Sequence, residues 1–131
     1  VKIKYVLDTH ALAWSVLSPE KLGSKAAQVI ESAGPGELAI PSAAVIEMGR
    51  LINEGKIDLG ARRPSAVFEK ALAYNPVIPT SFEAALKAPV LGLPHSDPFD
   101  RLIVAEALAL GVPLVTKDGN ITDSGIVRVI W

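Results

Sequence analysis

Asp97 and Asp100 stand three residues apart in His95-Ser96-Asp97-Pro98-Phe99-Asp100-Arg101, just ahead of the apolar run Leu102-Ile103-Val104-Ala105. Two carboxylates at that spacing share one helical turn, and the turn here is the first of a helix. Proline after the first Asp suits the first helical position, where its missing N–H has no intrahelical partner anyway. The helix is predicted to run from Pro98 to Leu110 and to stop at Gly111. Both acids therefore lie at the positive end of a helix, where free N–H groups and the helix dipole favour anions. Such a pair can cap the helix, or one member can belong to a site. The pair alone leaves both open.

Two more carboxylates fall where predicted elements change, and a third lies one to two turns into a helix. Ile3-Lys4-Tyr5-Val6-Leu7 is β-branched and apolar and reads as a strand, with Asp8 at its carboxyl end and a short helix from His10 to Leu17 behind it. Ser18-Pro19-Glu20 breaks the chain, Ser24 caps a helix from Lys25 to Ala33, and Gly34-Pro35-Gly36 halts it. Glu37 to Ile40 is a second strand. Pro41-Ser42 then opens a helix from Ala43 to Asn53 that carries Glu47 among apolar neighbours, at the boundary of the core. A helix from Pro64 to Ala73 and a very short strand at Pro76–Pro79 follow. Thr80 and Glu83 have the spacing of a capping box for a helix ending near Lys87. Leu91 to Pro94 is a loop into the Asp97 helix. Val112–Thr116 is a strand, Lys117-Asp118-Gly119-Asn120 a turn, and Ile126–Ile130 the last strand. Strands separated by helices imply crossovers and a parallel sheet covered on both faces. The expected fold is α/β, a three-layer α/β/α sandwich on a central parallel sheet of about five strands, as one domain spanning residues 1–131.

The totals agree with that reading and close off other chemistry. Half of the 131 residues are apolar and only 5% are aromatic, so the core is aliphatic and alanine-rich. There is no cysteine, which removes disulfides, thiolate metal sites and cysteine nucleophiles. A formal charge of −1 gives no general attraction to a polyanion, although a local basic patch can coexist with an acidic pocket. No stretch reaches the ~18 apolar residues of a membrane helix, and the first residues show no cleavage-site pattern, so a cytoplasmic location is expected.

In open parallel sheets ligands bind beyond the carboxyl ends of the strands. Asp8, Asp118, Asp100 and Glu47 come from four separate segments that regular connections would bring to that edge. Unpaired carboxylates packed together repel and are pushed towards protonation. A divalent cation resolves the conflict, and an all-oxygen set favours Mg²⁺ or Mn²⁺ over zinc. Taken singly, each acid also has a plainer role: Asp8 and Asp97 as helix caps, Asp100 as the reciprocal half of a cap, Glu47 as an ordinary helix acid, Asp118 as a turn residue. His95 serves as a base, a ligand or a brace for its loop. Thr9 and Thr116 support the site or simply end strands.

Leu7-Asp8-Thr9-His10-Ala11-Leu12-Ala13-Trp14, the Glu47 helix ending in Glu54-Gly55-Lys56-Ile57, the Asp97-Pro98-Phe99-Asp100-Arg101 block and Gly111-Val112-Pro113-Leu114-Val115-Thr116-Lys117-Asp118 together resemble PIN-domain proteins, in order and over residues 3 to 131. Within them the chain is similar to the VapC-type ribonuclease toxins of toxin–antitoxin pairs. The resemblance implies a Mg²⁺- or Mn²⁺-dependent endoribonuclease, the toxin of a type II pair, that hydrolyses RNA phosphodiesters. Its acids, carried over by position, are Asp8, Glu47, Asp100 and Asp118, all expected as catalytic and metal-binding residues, with Asp97 as a secondary metal candidate. Arg50, Lys56 and Arg101 are candidate phosphate contacts, and no aromatic stacking platform is evident. The resemblance also implies a cognate antitoxin protein and self-association as a homodimer. Trp14 and Trp131 serve such a face or pack in the core. Two other readings compete: a phosphoacceptor signalling module, which would want adjacent acids after the first strand and an Asp at the end of a middle strand, and a non-catalytic interaction domain whose acids are all caps.

Overall fold

A computed structural model of the chain describes residues 2–131; Val1, the head of the expected domain, lies outside them. Five short strands, β1 (Tyr5–Leu7), β2 (Leu38–Pro41), β3 (Val77–Ile78), β4 (Leu114–Val115) and β5 (Val129–Ile130), form a single sheet in the order β3-β2-β1-β4-β5. Every pairing is parallel. The period of two along each strand sends alternate residues to opposite faces. Val6, Ala39 and Leu114 join one apolar cluster, while Leu7, Leu38, Ile40 and Val115 join the other.

Helices cover both faces. α1 (Thr9–Leu17), α2 (Ser24–Ser32) and α4 (Pro64–Tyr74) contribute Ala11, Leu12, Ala26 and Phe68 to the second cluster. α5 (Phe82–Lys87), α6 (Pro98–Leu110) and α7 (Gly119–Ser124) contribute Ala84, Ile103, Val104, Ala107 and Ile121 to the first. α3 (Ser42–Asn53) feeds both, through Ala43 and Ala44 on one side and Met48 on the other. The three layers are those expected, and α6 begins and ends where the sequence places it, with Gly111 in the left-handed conformation at its end.

Three local expectations need correction. Residues 117–120 do not form a simple turn: Asp118 caps α7, a helix too short to show a periodicity in sequence. The cap of α5 is Ser81, not Thr80; its own N–H donates to Glu106 Oε1 at 2.6 Å, so the return contact comes from α6 and not from Glu83. α2 starts with Ser24 as its first helical residue and Gly23 as cap. Trp131 explains the shift. Its carbonyl accepts from Lys25 N–H, and a Cβ on residue 23 would come within 2.5 Å of the Trp131 backbone. Only glycine fits there.

Candidate active site

β1 and β4 are neighbours at the centre of the sheet, and the chain leaves them in two directions: towards β2 and β3 on one side and β5 on the other. Their carboxyl ends are therefore the switch point at which parallel sheets hold ligands. Asp8 follows β1 and donates its N–H to Val115 O in β4. Thr116 and Asp118 follow β4. α3 and α6 deliver Glu47 and Asp100 to the same edge. A cavity of about 420 Å³ opens there, lined by Asp8, Glu47, Asp100 and Asp118, with Thr9 and Thr116 beside them.

Each acid is held differently. Asp8 caps α1 with Oδ1, which accepts from Ala11 N–H at 2.8 Å. Burial pushes its pKa up to about 6, against the pull of the Thr116 hydroxyl and the Ala11 N–H. Glu47 is buried and accepts a hydrogen bond from the equally buried Thr9 hydroxyl, while its other oxygen lies 3.6 Å from Arg50. Asp97 caps α6 through Phe99 N–H and meets Arg50 at 3.1 Å with its second oxygen. Asp100 lies in the first turn of α6, and its pKa is raised to about 6 by burial first and then by the charges of Glu47 and Asp97. Asp118 uses Oδ1 to cap α7 and Oδ2 to meet His95 Nε2 at 2.7 Å. Burial works against its charge, but the bonds from His95, Ile121 and Asn120 win and hold it below the usual carboxylate range.

The most tightly packed oxygens belong to Glu47, Asp97 and Asp100, one from each lying within 4.8 Å of the others. Three carboxylates at that separation repel unless protonated or neutralised. Arg50 answers part of the charge, meeting Asp97 at 3.1 Å and Glu47 at 3.6 Å. Among the described residues no hydrogen bond reaches the Asp100 carboxyl, and His95 only partly offsets the charges around it. An oxygen-only group with an uncompensated member fits a hard divalent cation.

The family model for the PIN domain matches residues 5–125. The chain belongs to the PIN-domain family. Among its relatives, ribonuclease VapC22 of Mycobacterium tuberculosis is 34% identical over 116 residues, covering 86% of this chain and 85% of that one. The fold of this PIN domain is also that of VapBC2 from Rickettsia felis, solved bound to a DNA fragment from its promoter, at a TM-score of 0.71 and 15% identity over 97% of both chains. VapC20 of M. tuberculosis, described as a sarcin-ricin loop cleaving toxin, matches at a TM-score of 0.70 and 16% identity, over 98% of this chain and all of that one.

Of the basic residues singled out from the sequence of this PIN domain, Arg101 has a different task. Its guanidinium donates to the carbonyls of Ala88, Pro89, Leu91, Leu93 and His95. That fork ties down the strap from residue 88 to 95 and, with it, the His95 ring against Asp118. The contacts give Arg101 a structural role in the strap. Arg50 is half-exposed, stacks on Phe99 at 5.3 Å and bridges Asp97. Lys56 is exposed and pairs with Glu54 at 3.2 Å. The sequence does not reveal the His95–Asp118 contact, because 23 residues separate the partners and neither has a distinctive local pattern.

Proposed function

We propose that this PIN domain is a Mg²⁺- or Mn²⁺-dependent endoribonuclease that hydrolyses RNA phosphodiesters, and that it acts as the toxin of a type II toxin–antitoxin pair. One observation carries the reading: Asp8, Glu47, Asp100 and Asp118 line one cavity at the sheet's carboxyl edge, where an oxygen of Asp97 also lies within 4.8 Å of Glu47 and Asp100. The kinship with ribonuclease VapC22 supports it. Asp8, Glu47, Asp100 and Asp118 would hold the cation, with Asp97 at the rim. When bound, the cation offsets the acids' charge so that a polyanion can approach, and it makes a water more acidic.

The chain's own residues prepare that site. Thr9 fixes the Glu47 carboxylate by donating its hydroxyl proton to Oε1. Arg50 holds Asp97 and presents a half-exposed cation at the rim, where an RNA phosphate can reach it. Lys56 stands further out on the same helix end. His95 orients Asp118, and the Arg101 fork holds His95. The acyl-phosphate alternative lacks the adjacent acids it would want after the first strand: Asp8 stands between Leu7 and Thr9.

The same reading supplies partners. A cognate antitoxin protein would block the cavity. Self-association as a homodimer is supported by the apolar surface at Phe82 and Leu86, one turn apart on α5, and at Val90, which are 80%, 62% and 75% exposed. Among the described residues no helix is long and apolar enough to cross a membrane. A cytoplasmic RNA substrate completes the reading.

Incubating the purified protein with labelled RNA and Mg²⁺ or Mn²⁺ tests the proposal. Cleavage that a chelator stops and Asp100→Asn abolishes is the expected result. A folded protein that cuts no RNA with either ion, or an Asp100→Asn variant that cuts as well as the parent, overturns it.

A further inference from the structure

The cavity has two poles. One carries the acids. The other is lined by His10, Trp14 and Lys117. His10 stands edge-on to the Trp14 ring with centroids 5.3 Å apart. Lys117 Nζ lies 5.3 Å from the Trp14 ring centre, and Lys21 Nζ lies 5.8 Å from it. Trp131 packs against Trp14 at 5.8 Å, and Trp131 is itself anchored against Gly23 and the first turn of α2. These residues come from positions 10 to 21, 117 and 131, so the sequence alone shows no aromatic platform. The fold assembles one.

The geometry points to this pole as a subsite for one unpaired nucleotide of an RNA strand, its base stacked on Trp14 and its flanking phosphate met by Lys117. The inference rests on the ribonuclease reading and extends it to the substrate's form. Trp14 is only half-buried and lines the same cavity as the acids, whereas a purely structural tryptophan is enclosed by apolar neighbours. Trp131 packs against the ring and holds its orientation, so little ordering is lost when a base arrives. Both lysines are exposed and can swing from the ring to a phosphate. They also supply positive charge close to acids that would otherwise repel the strand. Base-on-aromatic stacking needs an unstacked base, which a duplex does not offer at this depth, so the substrate is single-stranded or looped at the cut.

The test measures binding separately from cleavage. Fluorescence anisotropy of a labelled single-stranded oligoribonucleotide is followed with the full chain carrying Asp100→Asn, which prevents cutting. In that background Trp14→Leu is expected to weaken binding about tenfold, the loss of one stacked base, while Trp14→Phe, which keeps an aromatic face, stays within about threefold of the parent. Lys117→Gln should reduce the slope of log affinity against log salt by about one. An unlabelled duplex should compete poorly. The inference is overturned if Leu and Phe variants bind as tightly as the parent, or if both lose affinity equally and lose melting temperature together, which is the mark of packing. An unchanged salt slope removes Lys117, and a duplex that competes as well as the single strand removes the unpaired base. A chain that shows the Trp14 dependence but cuts no RNA sinks the ribonuclease reading alone.

Discussion

Replacing Asp100 by Asn should make the metal-free protein more stable while destroying its activity. The carboxyl of Asp100 is raised from 3.8 to about 6, by burial first and then by the Glu47 and Asp97 charges beside it. A carboxyl whose folded pKa is raised binds more protons folded than unfolded, so its contribution is fully present below the unfolded value and is lost as pH rises through about 6. At neutral pH the full shift corresponds to about 3 kcal/mol against folding. Asp100 is half-exposed, and solvent screening reduces that to about 1–2 kcal/mol. Among the described residues no hydrogen bond depends on the Asp100 carboxylate, and asparagine has the same shape. The expected gain is about 3–8 °C in melting temperature near pH 7.5 with chelator present. Circular-dichroism melts of the two proteins measure it. The gap should close near pH 4, where the parent carboxyl is protonated in the folded state. Saturating Mg²⁺ should raise the parent's melting temperature more than the variant's, because only the parent keeps the full set of acids. A variant that is less stable at neutral pH, or a gap that does not change with pH, refutes the account of strain at this position.

Metal affinity should weaken as pH falls through about 6, because protons compete for Asp8 and Asp100; Mn²⁺ titration followed by calorimetry at two pH values checks it. Asp97→Asn keeps an oxygen for the Phe99 N–H and loses the charged partner of Arg50, so it should cost no more than about 1 kcal/mol in chemical denaturation and leave more cleavage than Asp100→Asn. Equal loss of cleavage in both would put Asp97 among the essential acids. Thr9→Val leaves buried Glu47 without its donor and should cost about 1–3 kcal/mol, seen as an earlier urea midpoint. Arg101→Lys cannot reach the carbonyls its fork spans and should cost about 2–4 kcal/mol. It should also free the His95 ring, observed by NMR as a shift of its resonances.

The features legible in the sequence are those decided within one turn or one strand. Asp97-Pro98 marks a helix start because capping and the missing proline N–H are local effects, and α6 begins there. Alternating apolar residues in short strands and the helices between them give the parallel sheet for the same reason. Features built by the fold escape. Glu106 reaches back 25 residues to Ser81, so the α5 cap looks local in sequence and is not. Thr9 meets Glu47 across 38 residues. The Arg101 fork closes on carbonyls, which have no sequence identity at all. The candidate acids could be named from their places at strand and helix ends, but not which of them pack most closely. The resemblance names Asp8, Glu47, Asp100 and Asp118 for the metal with Asp97 secondary, and the tightest group among the described residues is Glu47, Asp97 and Asp100.

The capping and functional readings of these acids compete in the sequence, and the geometry shows why they need not. A carboxylate has two oxygens. In Asp8, Asp97 and Asp118, Oδ1 takes a backbone N–H at the start of a helix. That bond fixes the torsion of the side chain and thereby aims the second oxygen. The second oxygen then meets Arg50 in Asp97 and His95 in Asp118. A capping acid is thus a pre-oriented one, because the backbone bears the cost of holding it. Asp100 and Glu47 are not caps. Glu47 is aimed by Thr9 instead, and Asp100, among the described residues, by its place on α6 and the walls around it. The acid with the fewest internal partners is also the one most strongly disfavoured by the charges beside it, and that is the position at which an arriving cation gains most and displaces least.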